Sequence, residues 1–197
     1  MREFVVYSAK GSTSPDFTTK DLPGSGGRMD LIARCVISAL WLSKDIRKES
    51  KITFSLNGPT EGPVAMEFSG RNLQRVTPDE RNIALWIKKS LGRMDAREEW
   101  RKVHEGIRVS KKTFEDIIRS KQSKDLYILK ENGCDIRNME IDDKPVFVLG
   151  DHIGLPEEKN GFVQSLGGSK ISLGPESYFT THSITITHNE MDRQSIT

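Results

Sequence analysis

Cysteine is scarce in this chain: its 197 residues include only Cys35 and Cys134, far apart and in no C-x-x-C arrangement. That argues against a disulfide framework or a cysteine-built zinc site, and it fits a reducing interior. Long apolar runs are missing as well. The opening MREFVVYSAK is too short an apolar stretch for a signal peptide, and nothing further along reaches membrane-spanning length. No sign of charge dominates, since 30 Lys and Arg stand against 28 Asp and Glu, a net +2. Such a balance neither demands nor forbids a nucleic acid; a local basic patch would have to supply the attraction. Repeats and low-complexity tracts are absent too. With 35% hydrophobic and 29% charged residues, the chain reads as one globular, cytoplasmic domain over 1–197, long enough to bury a sizeable core.

Apolar patterning then predicts the elements. Phe4 to Tyr7 is a first strand, followed by polar residues and the turn-rich DLPGSGGRMD at 21–30. LIARCVISALWLSKDIR places Leu31, Ala33, Cys35, Val36, Ile37, Leu40 and Trp41 on one broad helical face. ITFSLNG and VAMEFSG are strands joined by the turn-forming NGPTEGP. Thr77-Pro78-Asp79-Glu80 has the form of a capping box, with Thr77 as the cap, ahead of RNIALWIKKSL. The charged stretch 93–106 reads as an exposed, loosely ordered connection, and Ser110 as the cap of a helix through KKTFEDIIRS. LYIL, PVFVLG and SKISLG are strands, with a helix over PEEKNGFVQSLG between the last two. FTTHSITITHN is β-branched enough for a strand, but it follows Gly174-Pro175-Glu176, a good helix start, so a helix from Pro175 is expected. Strand, helix and strand in succession predict an α/β fold, a parallel sheet flanked by helices.

Ligands of open parallel sheets bind beyond the carboxyl ends of strands. Three stretches occupy such ends: Leu129, Gly150-Asp151, and Leu173-Gly174-Pro175. Gly150 and Gly174 lack a Cβ and can admit a ligand to the backbone, or can simply serve tight turns. FVLGDHIGL, then KISLGP, then THSITITHNEMD resembles the knotted C-terminal half of SPOUT-class methyltransferases. DLPGSGGRMDLIARC, SKDIR and TPDERNIALWIKKSL narrow the resemblance to the archaeal tRNA pseudouridine-54 N1-methyltransferase family, across nearly the whole chain.

That resemblance implies a SPOUT-type α/β knot, a C-terminal trefoil binding S-adenosylmethionine, a tRNA substrate, a homodimer and no metal. Carried over by position, the cofactor residues are Leu129, Gly150, Leu173, Gly174, Pro175, Glu176, Ser177, Tyr178 and Ser183. Ser183 stands where the family usually has cysteine, so no thiol role carries over, although a hydroxyl can still line the pocket. Asp21 is favoured as proton acceptor or orienter, with an ordinary turn acid as the alternative; Asp30 is a candidate helix cap. Arg28 would orient the uracil carbonyls or contact a phosphate with its planar fork of donors. Tyr178, Phe179, Ile184 and Ile186 form a candidate dimer seam, or pack within one chain.

Paired across a dimer, Arg34, Arg47, Lys48, Lys51, Arg71, Arg75, Arg81, Lys88 and Lys89 would, on the same resemblance, track an RNA backbone; the alternative is a solvated surface, since Asp45 and Glu49 interleave among them. His182 and His188 are spaced to point to different helix faces, and Asp151-His152 has no third ligand placed by sequence, so no zinc pattern is justified. Asp151 either faces the cofactor's positive charge or ends the strand. Two other readings remain open. One is a related SPOUT enzyme acting on rRNA pseudouridine or a ribose 2′-hydroxyl; the other is a catalytically inactive RNA- and cofactor-binding protein.

Overall fold

The structure is a computed structural model that describes residues 1–60, 62–94, 99–122 and 124–194. Eight strands form one sheet: β1 (Arg2–Ser8), β2 (Ser50–Leu56), β3 (Val64–Ser69), β4 (Arg101–His104), β5 (Ile107–Ser110), β6 (Leu126–Asp135), β7 (Val146–Gly150) and β8 (Ser169–Ser172). Five helices accompany them: α1 (Met29–Leu40), α2 (Glu80–Leu91), α3 (Phe114–Arg119), α4 (Glu157–Ser165) and α5 (Thr180–Gln194). The strand order is β4-β5-β3-β2-β1-β7-β6-β8. From β2 to β8 every neighbouring pair is parallel, as expected. The β3, β5 and β4 strands extend the sheet antiparallel beyond β2.

Central position explains the unbroken apolar runs. A strand covered on both faces needs apolar side chains pointing both ways. In β7, Phe147 and Leu149 join the core under α1, α2 and α5, while Val146 and Val148 join a second core under α3 and α4. β1 divides likewise, with Phe4 and Val6 on the first face and Val5 on the second.

Several boundaries differ from those predicted. α1 ends at Leu40; Trp41 is extended and bridges Ile46, so SKDIR turns the chain back toward β2 instead of continuing the helix. Asp79, not Thr77, caps α2 by accepting from the Asn82 amide at 2.8 Å, while the Thr77 hydroxyl supports the Asp79 carboxylate at 2.7 Å. Thr113, not Ser110, caps α3 through a reciprocal box with Asp116; Ser110 closes β5. Much of the stretch expected to be a loose connection is sheet: β4 and β5 form a hairpin on β3, with Val103, Ile107 and Val109 buried; residues 95–98 of that stretch lie outside the described residues. The β-branched terminal segment is a helix, as chosen, but begins at Thr180 and not at Pro175. Among the described residues no helix is long and apolar enough to cross a membrane.

Candidate active site

The carboxyl ends of β6, β7 and β8 open on a cavity of about 590 Å³, within the usual range of small-molecule sites. Each of the three predicted strand ends contributes: Leu129 from β6, Gly150 and Asp151 from β7, and Leu173 with Gly174 from β8. Glu176, Ser177 and Tyr178 close the cavity from the chain entering α5, and Ser183 from its first turn. Pro175 lies between lining neighbours without lining the cavity itself.

Gly150 is constrained by its own chain. A Cβ there would meet the Gly154 carbonyl carbon at 2.0 Å and the Leu155 nitrogen at 2.1 Å, so the 151–155 turn folds directly onto it. The Gly150 carbonyl accepts from the Thr180 hydroxyl at 3.0 Å, which pins the start of α5 to the end of β7. Gly174 has φ 134°, a backbone that side-chain-bearing residues rarely adopt. Turn geometry therefore accounts for both glycines, alongside their place on the cavity wall.

Asp151 organises the rim. One carboxylate oxygen accepts from the Ser8 hydroxyl at 2.9 Å and the Ala9 amide at 3.1 Å; the other accepts from the Ile153 amide at 2.9 Å. The acid thus joins the ends of β1 and β7 and shapes the turn, and it also lines the cavity. Across the cavity, a hydrogen bond from Ser177 holds the Glu131 carboxyl below its ordinary pKa.

Neither Asp21 nor Arg28 lines this cavity. Both Asp21 oxygens face its own turn, accepting from the Gly24 and Ser25 amides at 3.0 Å each. Arg28 takes a left-handed φ of 69° just before α1 and forks onto Asp30 at 3.0 and 3.1 Å. Asp30 is inside the first turn of α1 and also receives Arg34, so it links arginines and does not cap the helix. Burial pushes the Asp30 carboxyl up, but the two arginines outweigh it and hold its pKa below the usual value. Leu31, one position on, does line the cavity. Strand-end reasoning extended by two residues would have found Lys130 and Glu131; Leu31, Phe179 and His182 carry no comparable local signal.

Many of the basic residues expected to face RNA have partners within the chain. Arg47 forks onto Asp192 at 3.1 and 2.7 Å, Arg71 reaches Glu49 at 2.7 Å, and Lys51 lies 3.6 Å from Glu67. Lys88 donates to the Phe17 carbonyl at 2.7 Å, and the Lys89 ammonium sits 4.4 Å from the Trp86 ring centroid. His188 is buried against α1, near the Ala39 carbonyl at 3.0 Å; burial first, then the charge of Arg47, push its pKa down to about 3. It is a neutral packing residue, as a satisfied core histidine should be.

A ligand cavity at the carboxyl ends of a largely parallel sheet is the architecture of an α/β cofactor-binding enzyme. The family model described as "Putative SAM-dependent RNA methyltransferase" matches residues 1–196, which sets the class. A protein of Methanococcus maripaludis named tRNA (pseudouridine(54)-N(1))-methyltransferase is 45% identical over 197 residues, covering 98% of this chain and 99% of the relative. One of the same name from Methanocaldococcus jannaschii is 41% identical, covering 100% and 98%. The chain belongs to the tRNA (pseudouridine(54)-N(1))-methyltransferase family. Its fold is similar to that of Archaeoglobus fulgidus Nep1, solved bound to S-adenosylhomocysteine, with a TM-score of 0.68 at 14% identity over 100% of this chain and 99% of the other.

Proposed function

We propose that the protein transfers a methyl group from S-adenosylmethionine to N1 of pseudouridine at position 54 of tRNA. The observation that carries this is the strand-end cavity, which gathers Leu129, Gly150, Leu173, Gly174, Glu176, Ser177, Tyr178 and Ser183 in a member of that family. The donor set fits the cofactor. Leu31, Leu129, Leu149 and Leu173 offer apolar surface for a purine, and strand-end amides and carbonyls offer edge contacts. Asp151, Glu131 and Glu176 set negative charge around a ligand bearing a sulfonium and an ammonium. Bound there, S-adenosylmethionine supplies a methyl already activated for in-line displacement.

The chain's own task is to hold the acceptor in line and remove the N1 proton. Asp21 is our candidate acceptor for that proton. Each of its oxygens accepts one backbone amide and keeps a further lone pair. Arg28 would orient the base from the start of α1. Asp21→Ala with an unchanged single-turnover rate removes that acid from the mechanism. Lys48, Arg75 and Arg81 are exposed and suited to tRNA phosphates, which makes binding fall steeply with salt.

We further read residues 1–197 as one cytoplasmic domain with a C-terminal trefoil knot that works as a homodimer. The pairing of both Leu129 and Cys134 with the same Ile171 supports the knot. Ile184 is fully buried within its own chain and drops out of the proposed seam, which leaves exposed Tyr178 and Phe179 and half-buried Ile186. A fully active monomer in sedimentation would refute the dimer.

The deciding experiment incubates the protein with labelled donor and tRNA carrying either pseudouridine or uridine at the target. Methyl incorporation into the pseudouridine tRNA alone is expected. Equal incorporation into both, or none into either, overturns the reading.

A further inference from the structure

We propose that Phe179 stacks on the base that receives the methyl group, an inference that rests on the function proposed above. Among the described residues the exposed large apolar side chains are Leu42, Leu85, Ile153, Tyr178 and Phe179. Three of them, Ile153, Tyr178 and Phe179, surround the one strand-end cavity. Phe179 is the most exposed, at 71%.

Its backbone is nonetheless well anchored. The Phe179 carbonyl accepts from the Ser183 amide at 2.9 Å and the Ser183 hydroxyl at 3.2 Å. The next residue, Thr180, is tied to Gly150 at 3.0 Å. The ring meets His182 edge-on, with centroids 5.5 Å apart and planes at 70°, an arrangement that occupies at most one face. An aromatic ring on an anchored backbone, with an open face at the mouth of a cavity, is suited to a flat ligand.

The reaction supplies such a ligand. N1 must come into line with a methyl donor held at the strand ends, so the acceptor base enters through this mouth. An enzyme acting on a base takes it out of its stack and offers aromatic or apolar surface in exchange. Phe179 replaces the lost neighbour. It adds no hydrogen bond, so it contributes to holding any pyrimidine base, while discrimination of N1 falls to other groups.

The test measures binding of two T-loop hairpins in the presence of S-adenosylhomocysteine, one carrying pseudouridine at the target and one abasic there. Phe179→Ala is expected to weaken the first complex on the order of ten- to a hundredfold and to leave the second unchanged. Phe179→Trp should bind like the unaltered protein, whereas Phe179→Leu should resemble Phe179→Ala. Equal losses on both hairpins overturn the proposal, as does equal binding of both by the unaltered protein. Full recovery by leucine also overturns it, because apolar packing against a second copy would then explain the residue. Methyl transfer to the pseudouridine hairpin is read in parallel. An unaltered protein that distinguishes the hairpins but transfers no methyl refutes the proposed function and leaves the stacking intact.

Discussion

The two ends of the central strands β1 and β7 each bury an acid, and they satisfy it in opposite ways. At the amino end, Glu3 is almost fully buried and ion-paired with Lys121 and Lys124. Burial alone would raise its pKa, but the two lysines outweigh that and hold it near 2. At the carboxyl end, Asp151 is as deeply placed but is held by a hydroxyl and two backbone amides. The first acid is neutralised by opposite charge and closes its end of the sheet. The second is held by a hydroxyl and backbone amides beside a cavity, where a cationic ligand can reach it. One end of the sheet is locked, and the other is equipped to bind.

The contrast can be broken most severely at the locked end. Glu3→Ala should cost about 4 kcal/mol in urea denaturation, because Lys121 would be left buried without its counter-ion, and cofactor affinity should be unchanged. The folded pKa of Glu3 lies below its ordinary 4.5, so the stability it contributes is complete above pH 4.5 and is lost as pH falls toward 2. Acid denaturation of Glu3→Gln should therefore show a weaker dependence in that window than the unaltered protein. At the open end Gly150→Ala comes next, at about 3 kcal/mol, since the added methyl would overlap the Gly154–Leu155 backbone. Circular dichroism melting and cofactor calorimetry should both register it.

Asp151→Ala strands three donors and should cost about 2 kcal/mol, with cofactor affinity falling as well. Asp151→Asn sharpens the comparison: it keeps an acceptor oxygen but not the charge, so stability should recover more than affinity. If both recover together, the charge of Asp151 has no part in binding. Ser183→Cys is the mildest change. The Ser183 hydroxyl bonds the carbonyl of Phe179, just before α5, at 3.2 Å, so stability should shift by less than about 1 kcal/mol and single-turnover methylation should barely move. A large rise in rate would show that a thiol at this position takes part in the chemistry.

Much of the parallel half of the fold was legible because its signals are local. Val146 to Leu149 and Phe4 to Tyr7 are continuous apolar runs, as strands covered on both faces must be, and Gly150 marks the end of the first. The cavity wall followed from the same reasoning, since three strand ends in one parallel sheet point the same way. The β4–β5 hairpin was not legible. Its residues are largely charged, and its edge strand is specified by pairing with β3 more than by its own pattern. Thr77-x-x-Glu80 matched a capping motif, yet a neighbouring Asp79 two positions on captured the helix amide. Two competing caps cannot be ranked without the backbone direction that the preceding chain imposes.

Taken alone, the sequence determined the α/β class, the strand ends that form the cavity, and, through motif order, the family. The class and the strand ends depend on short-range periodicity, which each segment carries within itself, whereas the family rests on the resemblance of the ordered motifs. Tertiary structure decided that Asp151 is buried and hydrogen-bonded to the end of β1, and that Arg47 serves Asp192. It also decided that Glu3 is locked between two lysines and that Phe179 stands open at the cavity mouth. Such roles depend on which distant groups meet, and on whether water or protein surrounds them, which only the assembled sheet and its covering helices settle.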